Sequence, residues 1–115
     1  MFTHTEERFD GPLTIERTRY GEDVIVFSFS GELDLASTSN AWHVIEPALD
    51  EPGAMIVVDL TELEFLGVKG VSLLYGLAAA RGNTDSLRLL PSVHEGVNRV
   101  LEMTDVGSVI PIVAP

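Results

Sequence analysis

The stretch DLTELEFLGVKGVSLL, residues 59–74, joins an apolar strand to a helix and carries the clearest signal of fold and function in this chain. In an α/β sheet, the carboxyl end of a strand and the amino end of the next helix form an open edge with unpaired N–H groups. Ser, Thr, Asp or Asn normally caps such a helix, but this one begins Gly67, Val68, Lys69, Gly70. The only lysine of the chain, Lys69, opposes the helix dipole there by about 0.3–1 kcal/mol. We therefore expect a functional surface at this edge.

The helix predicted over about residues 69–81 has two apolar stripes. Val71, Leu74, Tyr75 and Ala78 share one side, and Leu73, Leu77 and Ala80 lie nearly opposite. If helices cover only one face of the sheet, the outer stripe must meet water or a partner protein. We therefore expect Leu73 and Leu77 to be more exposed than Val71, Leu74 and Ala78, and to form the apolar centre of a docking surface.

The other segments predict an α/β fold with a mixed sheet of about five strands and helices chiefly on one face. Residues 1–12 are polar and end in Gly-Pro, so we predict a flexible tail followed by one domain over residues 13–115. Residues 13–20 and 24–30 alternate as an antiparallel hairpin, and residues 55–60 are apolar throughout, as in a central parallel strand. Helices are expected at about 36–49, where Pro47 should kink or end the helix, and from a capping box at 92–95 to about 103. Short strands at 87–90 and 109–113 complete a largely parallel pattern.

Composition limits the possible partners and compartments. The 115 residues include 18 acidic and 7 basic side chains, a net charge of -11, which disfavours nucleic acid and anionic membranes and favours a protein partner. The absence of cysteine excludes disulfides and thiolate zinc sites and fits a reducing cytoplasm. No apolar run approaches the ~20 residues of a membrane-spanning helix. We predict a cytoplasmic protein without a membrane segment.

Catalytic and cofactor-binding groups are hard to assemble from this sequence. His4, His43 and His94 have no spacing that indicates metal ligation. The segment from Gly67 to Gly70 lacks the Ser or Thr of a Walker phosphate loop. We therefore predict no enzymatic activity, no metal and no cofactor.

Four segments together resemble the STAS domain of bacterial anti-sigma factor antagonists. They are GELD at 31–34, IVVDL at 56–60, LEFLGVKGVSLL at 63–74 and SVHEGVNRVLEMTDV at 92–106. The order of hairpin, GELD, helix, buried strand, helix, strand and helix is also similar to that fold. The resemblance extends over nearly the whole chain from Leu13 and rests on the combination rather than on one motif.

The resemblance implies a protein that binds a serine-kinase anti-sigma factor and so regulates sigma-factor-dependent transcription. In that family the loop before the second helix reads Asp-Ser-Ser-Gly or Asp-Ser-Thr-Gly, and a hydroxyl there is phosphorylated to end binding. Here only Gly70 is kept, and Lys69 stands at the acceptor position, so no phosphorylation of this loop is expected. Whether Ser72 or Thr61 replaces the acceptor stays open. The residues expected to contact the partner are Asp34, Gly67, Val68, Lys69, Gly70, Ser72, Leu73, Gly76 and Leu77.

Two other functions fit the same residues. Lys69 and the amides of the second helix could hold an anionic ligand such as a nucleotide phosphate, although the net charge of -11 opposes this. The chain could also be a STAS subunit of another complex, such as a transport-associated assembly. The sequence leaves the oligomeric state open.

Overall fold

The computed structural model describes residues 3–10, 13–82 and 84–113, and within them a five-stranded sheet packs against three α-helices. The strands are β1 (Thr3–Asp10), β2 (Leu13–Tyr20), β3 (Val24–Leu33), β4 (Met55–Leu66) and β5 (Leu87–Leu90). The helices are α1 (Thr38–Leu49), α2 (Val68–Arg81) and α3 (Glu95–Met103). Short 3-10 turns occupy Thr84–Ser86 and Val106–Ser108.

The strands lie side by side in chain order, from β1 to β5. β2 is antiparallel to its neighbours β1 and β3, whereas β3, β4 and β5 are parallel. The predicted hairpin is formed by β2 and β3, with Gly21 at a positive φ of 66° in the turn. The central position predicted for residues 55–60 is confirmed, because β4 pairs with a parallel strand on each side.

The two ends of the sheet differ from the prediction. Thr3–Asp10 form a strand paired with β2 along its length, so the predicted tail is wrong for these residues. Polar and charged residues are typical of edge strands, and composition alone does not separate such a strand from a tail. Residues 1, 2, 11 and 12 of the predicted tail lie outside the described residues. At the other end the predicted strand over 109–113 is reduced to a single bridge between Leu89 and Ile112, because Pro111 has no N–H to continue a ladder.

The ends of two helices test the prediction. α1 extends to Leu49 as predicted for about 36–49, so of the two effects expected of Pro47 it does not end the helix. α3 begins at Glu95, and the capping box expected at 92–95 is not formed. The Ser92 hydroxyl instead donates to the Leu63 carbonyl oxygen at 2.7 Å and accepts from the His94 N–H at 2.9 Å. Ser92 thereby ties the start of α3 to β4.

The core lies between the helices and one face of the sheet. Alternate side chains of β3 and β4 are buried while their neighbours are half-buried, as expected for a sheet covered on one face. The buried set on these two strands starts with Ile25, Phe27, Phe29, Ile56, Val58 and Leu60. Each such side chain contributes roughly 1.5–3 kcal/mol by leaving water.

Beyond Leu60 the burial pattern of β4 changes from every second to every third residue. Two register shifts against β3 each insert one extra residue into β4. Such bulges bend and twist a strand, and they bring Leu63 and Leu66 back onto the helix-covered face. Phe65, which pairs with Glu32, is left on the other face near the end of the strand. The bulges therefore shape the edge at which α2 begins.

Candidate partner-binding surface

The parallel strands β3, β4 and β5 all end at the same edge of the sheet, and their connections are held together there. The Gly67 N–H, between β4 and α2, donates to the Leu33 carbonyl oxygen at 3.0 Å. The Val93 N–H, between β5 and α3, donates to the Thr61 carbonyl oxygen at 3.0 Å. Sites on α/β sheets commonly lie at this carboxyl edge.

Large apolar side chains at this edge are unusually exposed. Leu35 follows β3 and is 70% exposed, Phe65 is 48% exposed, Val68 opens α2 and is 80% exposed, and Val93 follows β5 and is 72% exposed. We call these four residues together with Lys69 the edge surface. Exposed apolar groups gathered at one place are typical of an interaction surface.

Sequence reasoning had found Val68 and Lys69 but had missed three members of the edge surface. Leu35, Phe65 and Val93 are not among the contacts expected from the sequence. Val93 lies before α3 begins, so helical periodicity did not apply to it. The signal that could have found all three is their place within a few residues of the end of a parallel strand.

The first turn of α2 has no side-chain cap, as the sequence predicted. The Asp34 carboxylate lies over the Cα atom of Gly67, where a Cβ atom would come within 2.1 Å of Asp34 Oδ1. A residue with a side chain at this position would therefore displace Asp34. The carboxylate stabilises the positive end of the helix dipole by roughly 0.3–1 kcal/mol and offsets the opposing charge of Lys69.

Gly70 has a packing role. It is buried, and a Cβ atom there would lie 2.7 Å from the Leu33 carbonyl oxygen and 2.6 Å from Leu66 Cδ1. Only glycine allows α2 to approach the end of β3 this closely. A partner cannot reach Gly70 from solvent, although the sequence placed it among the contacts.

The expectation that Leu73 and Leu77 are exposed is wrong. They are 7% and 0% exposed, comparable to the opposite stripe of Val71, Leu74 and Ala78, which are 9%, 0% and 7% exposed. The reason is that α1 packs against α2. The Trp42 ring of α1 lies near Gly76, where a Cβ atom would be 3.5 Å from it. Most of both apolar stripes of α2 is therefore core, and only Tyr75 and Ala80 of the two stripes are exposed.

A narrower face of α2 remains accessible. Val68, Lys69, Ser72, Tyr75 and Ala79 are exposed, and Gly76 is half-buried. The Thr61 hydroxyl on β4, another hydroxyl of interest, donates to Asp59 Oδ1 at 2.7 Å and is half-buried. Ser72 is thus the nearest exposed hydroxyl following Lys69 on α2.

The described residues offer no metal site, since no group of three or more His, Cys, Asp or Glu residues among them could hold an ion. His43 and His94 are both exposed, on α1 and before α3; the side chain of His4 lies outside the description. No helix in the described part of the chain is long and apolar enough to cross a membrane.

Comparison with known proteins gives a consistent result. Residues 17–113 match the family model described as "Mlab, STAS domain". The crystal structure of an anti-sigma factor antagonist from Mycobacterium paratuberculosis shares the fold with a TM-score of 0.71 and 20% identity, over 96% of this chain and 85% of that one. The anti-sigma factor antagonist SpoIIAA in its unphosphorylated form gives a TM-score of 0.72 and 18% identity, over 88% of this chain and 87% of that one.

No curated protein sequence matches the chain. At 18–20% identity the two structures show a common fold. The α/β fold with a mixed sheet, which the resemblance implied, is confirmed.

Proposed function

Since the chain belongs to the STAS domain family, we propose that it acts as an anti-sigma factor antagonist, which binds a serine-kinase anti-sigma factor and so frees a sigma factor for transcription. Both structures that share its fold are of anti-sigma factor antagonists. The observation that carries the proposal is the edge surface, where exposed apolar side chains lie at the carboxyl ends of the parallel strands and on the first turn of α2. The proposed role is binding without catalysis, and it places the protein in the cytoplasm, where sigma factors act.

The proposed contact residues follow from accessibility. Six of the nine expected from the sequence are exposed or half-buried and are kept: Asp34, Gly67, Val68, Lys69, Ser72 and Gly76. The buried residues Gly70, Leu73 and Leu77 act by holding α2 in place. Leu35, Phe65 and Val93 are added because they extend the apolar part of the same edge.

We further propose that the kinase partner does not phosphorylate the loop from Gly67 to Gly70, because these residues carry no hydroxyl group. The Ser72 backbone is held inside α2, and the Thr61 hydroxyl is engaged by Asp59, so neither presents an extended substrate. Mass spectrometry after incubation with the kinase and ATP is expected to find no phosphate. A stoichiometric phosphate on Ser72 or Thr61 would mean that the switch has moved along the chain.

The nucleotide-binding alternative is less favourable. An anion bound at the amino end of α2 would need the place over Gly67 that the Asp34 carboxylate already occupies. Like charges at this distance repel, and the net charge of -11 adds to the repulsion. A role in a transport-associated complex would use the same edge surface, so the identity of the bound partner distinguishes it.

The test is direct binding to each purified serine-kinase anti-sigma factor of the same organism. Val68→Asp should weaken binding by about tenfold or more if Val68 lies at the centre of the interface. Met103→Asp is the matched control, since Met103 at the end of α3 is 77% exposed against 80% for Val68. Exposed sites tolerate such changes within about 0.5 kcal/mol, so both variants should fold.

Two outcomes would contradict the proposal. One is that no kinase of this type binds the wild-type chain. The other is that Val68→Asp and Met103→Asp bind as well as wild type, which would mean that the partner docks elsewhere.

A further inference from the structure

The edge surface carries an uneven charge pattern that goes beyond its apolar character. Glu32, Glu62 and Glu64 are exposed around the end of β4, and Asp34 is half-buried against Gly67. A shallow cavity of about 250 Å³ on the uncovered sheet face continues this acidic region and is lined in part by Glu16, Asp59 and Glu62. We call Glu32, Asp34, Glu62 and Glu64 the acidic border of the edge surface. Lys69 is thus a positive charge beside a predominantly acidic border.

Lys69 has no hydrogen bond or salt bridge to another described residue, whereas three arginines do. Arg19 binds the Glu51 carboxylate, Arg81 donates to backbone carbonyls near Glu51, and Arg88 donates to the Asp85 carbonyl. These arginines are engaged within the chain. The Lys69 ammonium, exposed on the first turn of α2, is available for an intermolecular pair.

We propose that the partner of the edge surface presents an apolar patch bordered by arginine or lysine side chains, with one carboxylate positioned against Lys69. This deepens the proposed function, on which it rests for the class of partner. Charge complementarity supports it, because an acidic border attracts and orients a basic surface and rejects an acidic one.

The expectation of a partner carboxylate opposite Lys69 follows from the loss of water around the lysine on binding. Val68 and Lys69 are both exposed on the first turn of α2, so a partner broad enough to cover both also removes water from the lysine head group. An ammonium group deprived of water and left unpaired is costly, and a carboxylate compensates it best. Lys69 therefore selects partners by the charge that they place at this one point.

The experiment is quantitative capture of host proteins on the immobilised full chain, compared among wild type, Val68→Asp, Lys69→Met, Lys69→Glu and the control Met103→Asp. Proteins retained by wild type and by Met103→Asp but lost with Val68→Asp define the edge partner. Its affinity is then measured for each variant between about 50 and about 300 mM salt, a range over which exposed charges become screened.

We expect the affinity of Lys69→Glu to fall about tenfold or more, and that of Lys69→Met to fall less, because methionine keeps the apolar stem without adding repulsion. Wild-type affinity should decrease as salt rises. Replacing the opposing carboxylate of the partner by lysine should restore binding to Lys69→Glu.

The outcomes separate this inference from the proposed function. If the edge partner is not a serine-kinase anti-sigma factor but shows the expected Lys69 and salt dependence, the function is wrong and the inference stands. If a kinase partner binds Lys69→Glu as tightly as wild type, or binds independently of salt, the inference is overturned while the function stands. If no captured protein depends on Val68, both are wrong.

Discussion

The two ends of α2 are built differently. At the carboxyl end, Arg81 donates hydrogen bonds to four acceptors: the backbone oxygens of Leu49, Glu51 and Ala54 and the hydroxyl of Ser86. At the amino end no side chain caps the helix, and Lys69 extends into solvent. One end is closed by bonds within the chain, and the other presents charge and apolar surface.

This difference shows how stability and binding are separated along one helix. The guanidinium group of Arg81 donates to carbonyl oxygens at the end of α1 and in the loop after it, where the regular hydrogen bonds of the helix no longer supply donors. It thereby joins α1, α2 and the approach to β4. The amino end has no comparable set of side-chain hydrogen bonds, although the Gly67 N–H binds the Leu33 carbonyl oxygen, and its exposed groups remain available to a partner. Changes near Arg81 should therefore affect stability, and changes at Val68 or Lys69 should affect binding.

The largest stability effect predicted for this comparison is that of Arg81→Ala. Three backbone carbonyl oxygens would lose a charged donor, and we expect the free energy of unfolding to fall by about 2–3 kcal/mol. Lys69→Ala at the other end should change it by no more than about 0.5 kcal/mol. Chemical denaturation of both variants measures the difference.

Arg81→Lys tests whether the loss of stability depends on the planar, forked guanidinium group or only on its positive charge. Lysine keeps the charge but cannot reach several acceptors from one planar group, so it should recover only part of the loss. If Arg81→Ala and Lys69→Ala were equally stable, the two ends of α2 would not differ as described.

A second prediction concerns the inner side of the amino end. Gly70→Ala places a methyl group against the Leu33 carbonyl and Leu66, and overpacking of this kind costs about 1–3 kcal/mol. Gly76→Ala is matched to it within the same helix, because its Cβ would make ordinary contact with Trp42. That change should stabilise the protein by roughly 0.5–1 kcal/mol, as glycine is unfavourable inside helices. Thermal unfolding should move the two variants in opposite directions, and a shift in the same direction would contradict the packing described for Gly70.

Much of the fold could be predicted from the sequence because the main elements have strong patterns. β2 and β5 were placed correctly, and β3 and β4 begin where predicted but continue beyond the predicted residues 30 and 60 to Leu33 and Leu66. β1 was missed because its polar residues form an edge, where pairing leaves little pattern in the sequence. The predicted last strand failed at Pro111, whose missing N–H weighs more than the apolar residues around it.

The site was harder to predict because accessibility depends on the neighbours of a helix. The sequence shows that Leu73 and Leu77 form an apolar stripe, but it does not show that α1 covers this stripe. The role of Gly67 also became clear only in three dimensions, since the Asp34 carboxylate that lies over it comes from the connection between β3 and α1. An aspartate at position 67, which the family pattern would suggest, would bring two carboxylates together, so it would not simply restore a helix cap.

The smallest effect predicted lies near Arg81 and depends on pH. The Glu51 carboxylate accepts two hydrogen bonds from Arg19, at 3.0 and 3.1 Å, and these hold the pKa of Glu51 below its ordinary value of 4.5. A carboxyl group whose pKa is lowered by folding stabilises the protein above its ordinary pKa, and this contribution is lost as the pH falls through the lowered value. The stability difference between wild type and Glu51→Gln should therefore be constant near neutral pH and shrink as the pH drops below about 4.5. Both side chains are partly exposed, so the difference should be small and should decrease with added salt. Glu102→Gln, an exposed change on α3, serves as the control for a general loss of negative charge. Denaturation curves at several pH values provide the measurement, and a difference that grew towards acid pH would mean that the Arg19 contact does not stabilise the ionised carboxylate.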